Sequence, residues 1–179
     1  AILIANRYRR PVLPAPTHRK FNRKAVKESA DQPALLPCRS IGEALGRAEP
    51  FVLVSNYGTG GDPKARGRRT SREPAFTVTG KVSRNRLFSD VGELDRLSVS
   101  EAGRLQTFPA DYPWSGKDIS QQVGNAIPPR LAAHVLAAAL GRELPEDFLD
   151  SVTRTRWMNF EGAIAASQLT EAAYEGAMV

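Results

Sequence analysis

The stretch that says most about the fold is Arg96-Leu-Ser-Val-Ser-Glu-Ala-Gly-Arg-Leu-Gln-Thr-Phe-Pro109. Ser98 followed three residues later by Glu101 is the spacing of a capping box, in which each side chain binds the other residue's backbone amide at a helix start. The sequence therefore predicts a helix that begins after Ser98 and ends before Phe108-Pro109. Its buried stripe is predicted to comprise Val99, Ala102 and Leu105.

A second helix is marked by the sequence Gln121-Gln-Val-Gly-Asn-Ala-Ile-Pro-Pro-Arg-Leu-Ala132 and the residues after it. Pro128-Pro129 suits an opening turn, where missing amide protons cost little, and Gly141 suits a helix end. We predict an alanine-rich helix over residues 131–140. One side of it, formed by Leu131, Val135 and Leu136, would stay partly uncovered without further protein to pack on it.

The first half of the chain alternates between short predicted elements and irregular segments. Ala1–Ala5 is a continuous apolar run that predicts a buried strand of the parallel-sheet type. Ser40 and Glu43 form another capping box, with Gly46 as the predicted end of a short helix. Strands are predicted over residues 51–54 and 74–79, with a long exposed loop over residues 56–72 between them.

Composition excludes several classes of protein. Of the 179 residues, 41% are apolar and 25% charged, and no run reaches the roughly 18 apolar residues of a membrane span. The one cysteine, Cys38, excludes a disulfide framework. Since the only other Cys or His residues are His18 and His134, the chain also lacks the four ligands of the usual zinc site. We therefore expect a cytoplasmic protein, and we expect His134 to be a surface or packing residue.

The net charge of +6 hides an asymmetry between the two halves. Residues 1–88 carry 18 Lys and Arg against 6 Asp and Glu, a net charge of +12, and residues 89–179 carry a net charge of −6. A strongly basic half predicts a face that neutralises phosphates. The alternative is a solvated basic stretch that binds nothing in particular.

Residues 96–109 and 121–132 resemble the ninth and tenth signature motifs of the DNA cytosine-C5 methyltransferase family. They stand in family order at family-like spacing, and Ala1–Ala5 is similar to the strand of the eighth motif. The segment Glu73-Pro-Ala-Phe-Thr-Val-Thr79 is similar to a Pro-Thr-Val-Thr type segment of the family's recognition regions. The resemblance implies the C-terminal part of a doubly wound α/β methyltransferase that depends on S-adenosylmethionine, with a small mixed target recognition domain.

The resemblance also implies a division of the chain. Residues 1–17 would be the last part of the catalytic domain, and residues 18–112 the recognition domain including the ninth motif. Residues 113–142 would carry the tenth motif and a helix returning to the catalytic domain. The tail of residues 143–179 has Trp157, Phe160, Ile164 and Leu169 at loosely helical spacing, and we see no chemistry in it.

Site residues follow from the same resemblance and from the basic cluster. Gly124, Asn125 and Ala126 are implied to line the S-adenosylmethionine site beside its methionine end, although the same residues also fit a plain helix-entry turn. Arginines at a loop can bind phosphates, and arginine or asparagine can also bind base edges. The candidate contacts to double-stranded DNA are Arg66, Arg68, Arg69, Arg72, Thr77, Thr79, Lys81, Arg84 and Asn85, with Arg86 at the end of the cluster.

The groups that do the chemistry in this family are not in the chain. The family uses a cysteine in a Pro-Cys-Gln segment, a glutamate in a Glu-Asn-Val segment and a Gly-rich cofactor loop, all before the eighth motif. We therefore expect the chain to be inactive alone and to need an N-terminal catalytic half, in cis or in trans. A restriction-modification enzyme is the expected parent. A non-catalytic DNA-binding module and a subunit of a split enzyme stay open as alternatives.

Two segments imitate functional motifs. Pro37-Cys38-Arg39 resembles a nucleophile segment with a cation beside the thiol, but it follows the predicted strand that it should precede and runs directly into the helix capped by Ser40. Tyr57-Gly-Thr-Gly-Gly-Asp62 resembles a cofactor loop but leads into Pro63 and a basic run instead of a helix. We interpret Cys38 as a small semi-buried residue and residues 57–62 as a hinge that carries arginines to phosphates. We expect no catalytic and no metal-binding residue in this chain.

Overall fold

A computed structural model describes residues 2–23, 35–55, 62 and 66–157. The first helix, α1, spans Ile41–Leu45. The Ser40 side chain accepts a hydrogen bond from the Glu43 amide at 3.2 Å, and the Ser40 amide donates to Glu43 Oε2 at 2.7 Å. Gly46 ends the helix at a φ of 62°, a left-handed conformation that glycine adopts without strain. The predicted capping box and its glycine end are confirmed.

A four-stranded antiparallel sheet follows. Its strands are β1 (Val52–Val54), β2 (Arg68–Thr70), β3 (Arg86–Ser89) and β4 (Gly92–Arg96), and they lie in the order β2-β1-β3-β4. Leu53 of β1 is paired with Arg69 of β2 and with Leu87 of β3. Since directly paired residues share a face, Leu53 and Leu87 define the face that packs on the core.

The second half is mainly helical, as its sequence predicts. Its helices are α2 (Val99–Leu105), α3 (Ile119–Asn125), α4 (Pro129–Leu140) and α5 (Glu146–Arg154). The capping box of Ser98 and Glu101 is present, and Gly141 ends α4 at a φ of 64°. Pro129 stands in the first turn of α4, as expected. Helix α5 lies within residues 143–179, where the sequence showed only apolar residues at loosely helical spacing.

The core lies between the sheet, α1, α2 and α3. Its largest fully buried side chains are Ile41, Leu53, Leu87, Val82 and Val123. Ala102 of α2 is also fully buried, while Val99 and Leu105 are partly buried beside the core. The predicted stripe of α2 therefore packs as expected. The result is a mixed α/β arrangement around a small antiparallel sheet.

Three predictions about segments in and beside the sheet need correction or limits. Residues 74–79 do not form a strand, because they are paired with no strand of the sheet, although the outer edges of β2 and β4 are not paired within it. Their Val78 is buried in the core instead. Part of the predicted loop, Arg68–Thr70, is strand β2. The predicted hinge covers residues 57–62, of which residues 57–61 lie outside the described part of the chain.

Residues 2–6 are also not a strand. A continuous apolar strand needs paired neighbours on its edges, and the described residues offer none beside this segment. Leu3 is 95% exposed. Asn6 instead donates a side-chain hydrogen bond to the Ala139 carbonyl at 2.7 Å, at the end of α4. The N-terminal segment therefore runs along the C-terminal end of α4.

The apolar side of α4 is uncovered, as predicted. None of its 12 residues is buried, and Leu136 is 62% exposed. Leu131, Leu140 and the preceding Ile127 are exposed beside it. No helix in the described ranges has the length and apolarity of a membrane span. Exposed leucines on one side of a helix are typical of an interaction surface.

Candidate nucleic-acid interface and cofactor turn

The outer face of the sheet carries a row of arginines. Val54 of β1 is paired with Arg68 on one side and with Arg86 on the other, and Arg86 is paired with Arg96 of β4. These residues alternate with Leu53 and Leu87, so they lie on the face opposite the core. With strands spaced about 4.8 Å apart, Arg68 and Arg96 lie roughly 14 Å from each other across the sheet. We call Arg68, Arg86 and Arg96 the arginine row.

This row concentrates positive charge and lowers the stability of the sheet. Arg86 and Arg96 are directly opposite each other, and like charges in that position are destabilising. Glu93 offsets part of the charge, because it forms an ion pair with the Arg86 guanidinium. Arg68 and Arg96 are exposed, and neither forms an ion pair with a carboxylate among the described residues. The two ends of the row are therefore available to an anion.

Arg69 has a different environment from its neighbour Arg68. Its guanidinium carbon lies 5.1 Å from the centre of the Phe76 ring and 5.5 Å from that of Phe21. Arg69 Nη1 also lies 3.7 Å from Glu73 Oε1. Stacked between two aromatic rings, the guanidinium is held by cation–π contacts and joins β2 to the segment before Thr77. The structure thus gives this predicted DNA contact a packing role.

Glu73 joins Arg23 to the end of β2 through hydrogen bonds. Arg23 Nε donates to Glu73 Oε1 at 2.7 Å, and the Thr70 amide donates to Glu73 Oε2 at 2.7 Å. The Arg23 hydrogen bond is the main reason that the pKa of Glu73 lies at about 2 instead of 4.5, and the Thr70 hydrogen bonds add to it. The same contact raises the pKa of Arg23. Glu73 is therefore ionised throughout the ordinary pH range.

The other predicted DNA contacts divide by exposure. The exposed ones are Arg72, Thr77, Lys81 and Arg84, whereas Arg66 and Thr79 are half-buried. The Thr79 hydroxyl accepts a weak hydrogen bond from the Lys81 amide at 3.3 Å. Asn85 is only 3% exposed, and its carbonyl accepts a hydrogen bond from the Leu97 amide. Asn85 follows the short helical turn Val82–Arg84, and its burial keeps its side chain from contacting DNA in this conformation.

The segment predicted to line the cofactor is a helix exit, where the sequence also allowed a helix-entry turn. Gly124 and Asn125 end α3, and Ala126 follows as its C-terminal cap. A Cβ on Gly124 would overlap the backbone of Thr79 and Gly80, so only glycine lets α3 approach the recognition segment this closely. The predicted DNA segment and the predicted cofactor turn are therefore in direct backbone contact.

Asn125 and Ile127 face outward from this turn. Asn125 is exposed, and its Oδ1 accepts a hydrogen bond from Gln121 Nε2 at 3.0 Å, which leaves the amide nitrogen directed away from that bond. Ile127 is an exposed apolar side chain beside it. An amide and an apolar surface suit one wall of a site for S-adenosylmethionine, so the residues present fit such a ligand on one side. A cavity of about 620 Å³ lies elsewhere, between the residues after α1 and the β3–β4 turn.

A charged cluster ties α4 to α5 and to the segment before α1. Arg130 Nη1 donates to Asp150 Oδ1 at 2.5 Å, and its other nitrogen forms an ion pair with Glu146. Arg39 also reaches Asp150, at 2.5 Å. Burial raises the pKa of Glu146, but the hydrogen bonds from Arg130 and Thr17 outweigh it, and the net shift is downward. The sequence showed no chemistry in α5, and its role here is to brace α4.

His134, expected to be a surface or packing residue, takes part in this cluster. Its Nε2 lies 3.0 Å from Glu146 Oε1. Cys38, just before α1, is half-buried with a free thiol, in agreement with its interpretation as a semi-buried residue. Among the described residues, no group of three His, Cys, Asp or Glu side chains could hold a metal ion.

Arg96 is the surface residue that sequence reasoning missed. The signal was the sequence Arg86-Leu-Phe-Ser-Asp-Val-Gly-Glu-Leu-Asp-Arg96, in which a two-residue turn at Asp90-Val91 separates two short runs. Such a pattern predicts a hairpin, and Ser89 is indeed paired with Gly92 across that turn. A hairpin prediction would have placed Arg96 near Arg86.

Comparison with known proteins relates the chain to one family. The family described as C-5 cytosine-specific DNA methylase matches residues 15–141. Type II methyltransferase M1.HphI of Haemophilus parahaemolyticus is 39% identical over 82 residues, 45% of this chain and 21% of that protein. Type II methyltransferase M.BbvI of Brevibacillus brevis is 28% identical over 151 residues, 72% of this chain and 39% of that protein.

A plant protein is similar over a shorter stretch. DNA (cytosine-5)-methyltransferase 3 of Arabidopsis thaliana is 52% identical over 52 residues, which make up 28% of this chain and 3% of that protein. The chain thus spans well under half the length of each of these relatives. No solved structure matches the chain significantly.

Proposed function

Because the chain belongs to the C-5 cytosine-specific DNA methylase family, we propose that it is the DNA-recognising C-terminal part of a DNA (cytosine-5-)-methyltransferase. In this proposal residues 18–112 bind double-stranded DNA, and the Gly124–Ala126 turn forms one wall of the S-adenosylmethionine site. Helix α4 returns to a doubly wound catalytic domain, which belongs to the remainder of the enzyme and supplies the nucleophile and the donor loop. Bound S-adenosylmethionine supplies the methyl group that is transferred to C5 of cytosine.

The arginine row is the observation that carries the DNA-binding proposal. A sheet that sets Arg86 opposite Arg96, with Arg68 on the same face, concentrates positive charge that Glu93 offsets only in part, so a bound anion would stabilise it. Phosphates of one DNA strand present a charge about every 3.4 Å along the axis, so a row spanning roughly 14 Å can follow several of them. Arg72, Lys81 and Arg84 add exposed cations from adjoining segments.

The uncovered face of α4 supports the proposal of a catalytic partner. A 12-residue helix with no buried residue gains little from its own domain, and covering its leucines would stabilise both parts. The relatives are more than twice as long as the matched region, so a partner of suitable size exists in that family. The N-terminal segment lies beside the end of α4 and would enter the same interface.

Salt-dependent DNA binding tests the recognition role. We expect the Arg68→Ala/Arg96→Ala double variant to bind duplex DNA more weakly and to flatten the slope of log affinity against log salt by roughly 1.8, about 0.9 for each lost phosphate contact. Fluorescence anisotropy with a labelled duplex measures both quantities. Arg154→Ala, which removes an exposed arginine from α5, is the matched control. An unchanged slope in the double variant would mean that the row is only solvated.

Reconstitution tests the enzymatic role. We expect the chain alone to transfer no label from S-adenosylmethionine to cytosine, since the family's nucleophile segment and donor loop are not in it. Co-expression with an N-terminal half of a family member should give a co-purifying complex that methylates DNA. Methylation by the chain alone, abolished in Cys38→Ser, would contradict this division of labour. A chain that ignores such a partner and still binds DNA would instead be a non-catalytic DNA-binding module.

A further inference from the structure

Gln106, at the C-terminal end of α2, reaches across to the predicted cofactor turn. Its Nε2 donates to the Val123 carbonyl at 3.1 Å and lies 3.4 Å from the Ala126 carbonyl. These are two of the carbonyls at the end of α3, where a helix runs out of internal partners. One side-chain amide therefore binds the backbone on both sides of Gly124 and Asn125.

Thr107 holds the next element in the same way. Its hydroxyl accepts a hydrogen bond from the Arg130 amide at 3.1 Å, in the first turn of α4, where amides also lack helical partners. Thr107 adopts a φ of 66°, which is unfavourable for a β-branched residue and persists only where the surroundings enforce it. Gln106 and Thr107 together thus fix the end of α3 and the beginning of α4.

The turn is held from its other side by the recognition segment. Gly124 lies against the backbone of Thr79 and Gly80, so the turn cannot move in that direction. Val123, one residue earlier, is fully buried in the core. The position of the turn is therefore set by the small domain itself, through α2 on one side and residues 79–80 on the other.

We infer that Gln106 is a positioning residue for the Gly124–Ala126 turn and thereby sets the affinity for S-adenosylmethionine without touching the cofactor. This inference rests on the proposed function, because the cofactor wall is part of it. The physical reason is that the two amide protons of Gln106 fix the carbonyls that bound the turn. Without them the turn samples other positions, and a ligand must select one at the expense of affinity.

Two substitutions at this position separate hydrogen bonding from packing. Gln106→Met keeps the length of the side chain but removes both donors, and Gln106→Glu keeps the shape but turns acceptor oxygens toward the two carbonyls. The matched control is Gln122→Met in α3. Gln122 Nε2 also donates to two carbonyls, those of Ser115 and Lys117 at 2.9 and 3.0 Å, but these lie outside the turn.

The first readout needs no catalytic half. In the 179-residue chain, hydrogen–deuterium exchange of a peptide covering residues 123–128 should become several-fold faster in both Gln106 variants. It should stay unchanged in Gln122→Met. Thermal unfolding checks that each variant is folded. Unaltered exchange in a folded Gln106→Met, or failure of both Gln106 variants to fold, would overturn the positioning role in favour of a general structural one.

The second readout is cofactor binding in the complex with an N-terminal half. Loss of these hydrogen bonds should weaken the binding of S-adenosylhomocysteine on the order of tenfold, while the affinity for duplex DNA stays the same. If the wild-type complex binds no S-adenosylhomocysteine, the proposed function fails. If wild type and Gln106→Met bind it equally, only the positioning role fails.

Discussion

Arg86 and Arg96 lie directly opposite each other on neighbouring antiparallel strands, on the face of the sheet that points away from the core. Core packing does not require this arrangement, because the paired residues of β1 and β3 that face the core are Leu53 and Leu87. A cross-strand pair of like charges weakens a sheet, and here a third arginine, Arg68, extends the same row. Stability and DNA binding are therefore expected to oppose each other at these positions.

Replacing Arg96 should make the free protein more stable and its DNA complex weaker. In Arg96→Thr, the repulsion with Arg86 is removed and a residue that favours strands is introduced. We expect a gain of about 0.2–1 kcal/mol in the free energy of unfolding without DNA. Denaturant unfolding measures the gain, and duplex binding should weaken in the same variant. Arg154→Thr on α5, away from the sheet, should leave duplex binding unchanged. A less stable Arg96→Thr would contradict the assignment of Arg96 to a repulsive pair.

Arg69 should behave as a structural residue, in contrast to its neighbour Arg68. Since the planar guanidinium stacks on Phe76 and Phe21, lysine cannot replace it well. We expect Arg69→Lys to lose about 0.5–2 kcal/mol of stability, while Arg68→Lys stays near the wild-type value. The salt slope of DNA binding should be retained in Arg69→Lys. Equal stability of the two variants would mean that the stacking contributes little.

Glu73 should make the free energy of unfolding depend on pH in the acid range. Its folded-state pKa of about 2 lies below the ordinary 4.5, so its contribution is complete above pH 4.5 and is lost as the pH falls toward 2. Glu73→Gln should therefore be less stable than wild type by about 1 kcal/mol at pH 7 and should approach wild type near pH 2. Thermal unfolding at several pH values follows the difference. Glu49→Gln, at an exposed position, is the control. A difference that does not change with pH would contradict the role of ionised Glu73.

The exposed leucines of α4 should matter for association more than for folding. Leu136 is exposed in this chain, so Leu136→Gln should alter its stability by no more than about 0.5 kcal/mol. The same variant should co-purify poorly with an N-terminal catalytic half, because a polar group would be buried at the interface. Leu94→Gln on β4 is a matched change at another exposed leucine. Normal co-purification of Leu136→Gln would place the interface elsewhere.

Local signals in the sequence were enough to predict α1, α2 and α4, whereas α3 and α5 were not predicted. Capping boxes at Ser40 and Ser98 and the glycines that end α1 and α4 act within a few residues, so their effect does not depend on distant parts of the chain. The motifs around residues 96–109 and 121–132 identified the family, which the comparisons confirm. The apolar side of α4 was also predictable from the spacing of its leucines, whereas its exposure depends on what packs on it.

Tertiary structure decided the strand pairing and the environment of each arginine. Residues 74–79 have strand-like alternation, yet they are paired with no strand of the sheet, because strand formation depends on partners that the local sequence does not specify. Arg68 and Arg69 are neighbours in sequence but lie on opposite faces of β2, one exposed to solvent and one stacked on two rings. The contact of Gln106 with the carbonyls of residues 123 and 126 depends in turn on how α2 packs against α3. Sequence thus determined which residue types are available, and long-range packing determined which of them meet, because contacts between distant residues follow from the folded geometry and not from local pattern.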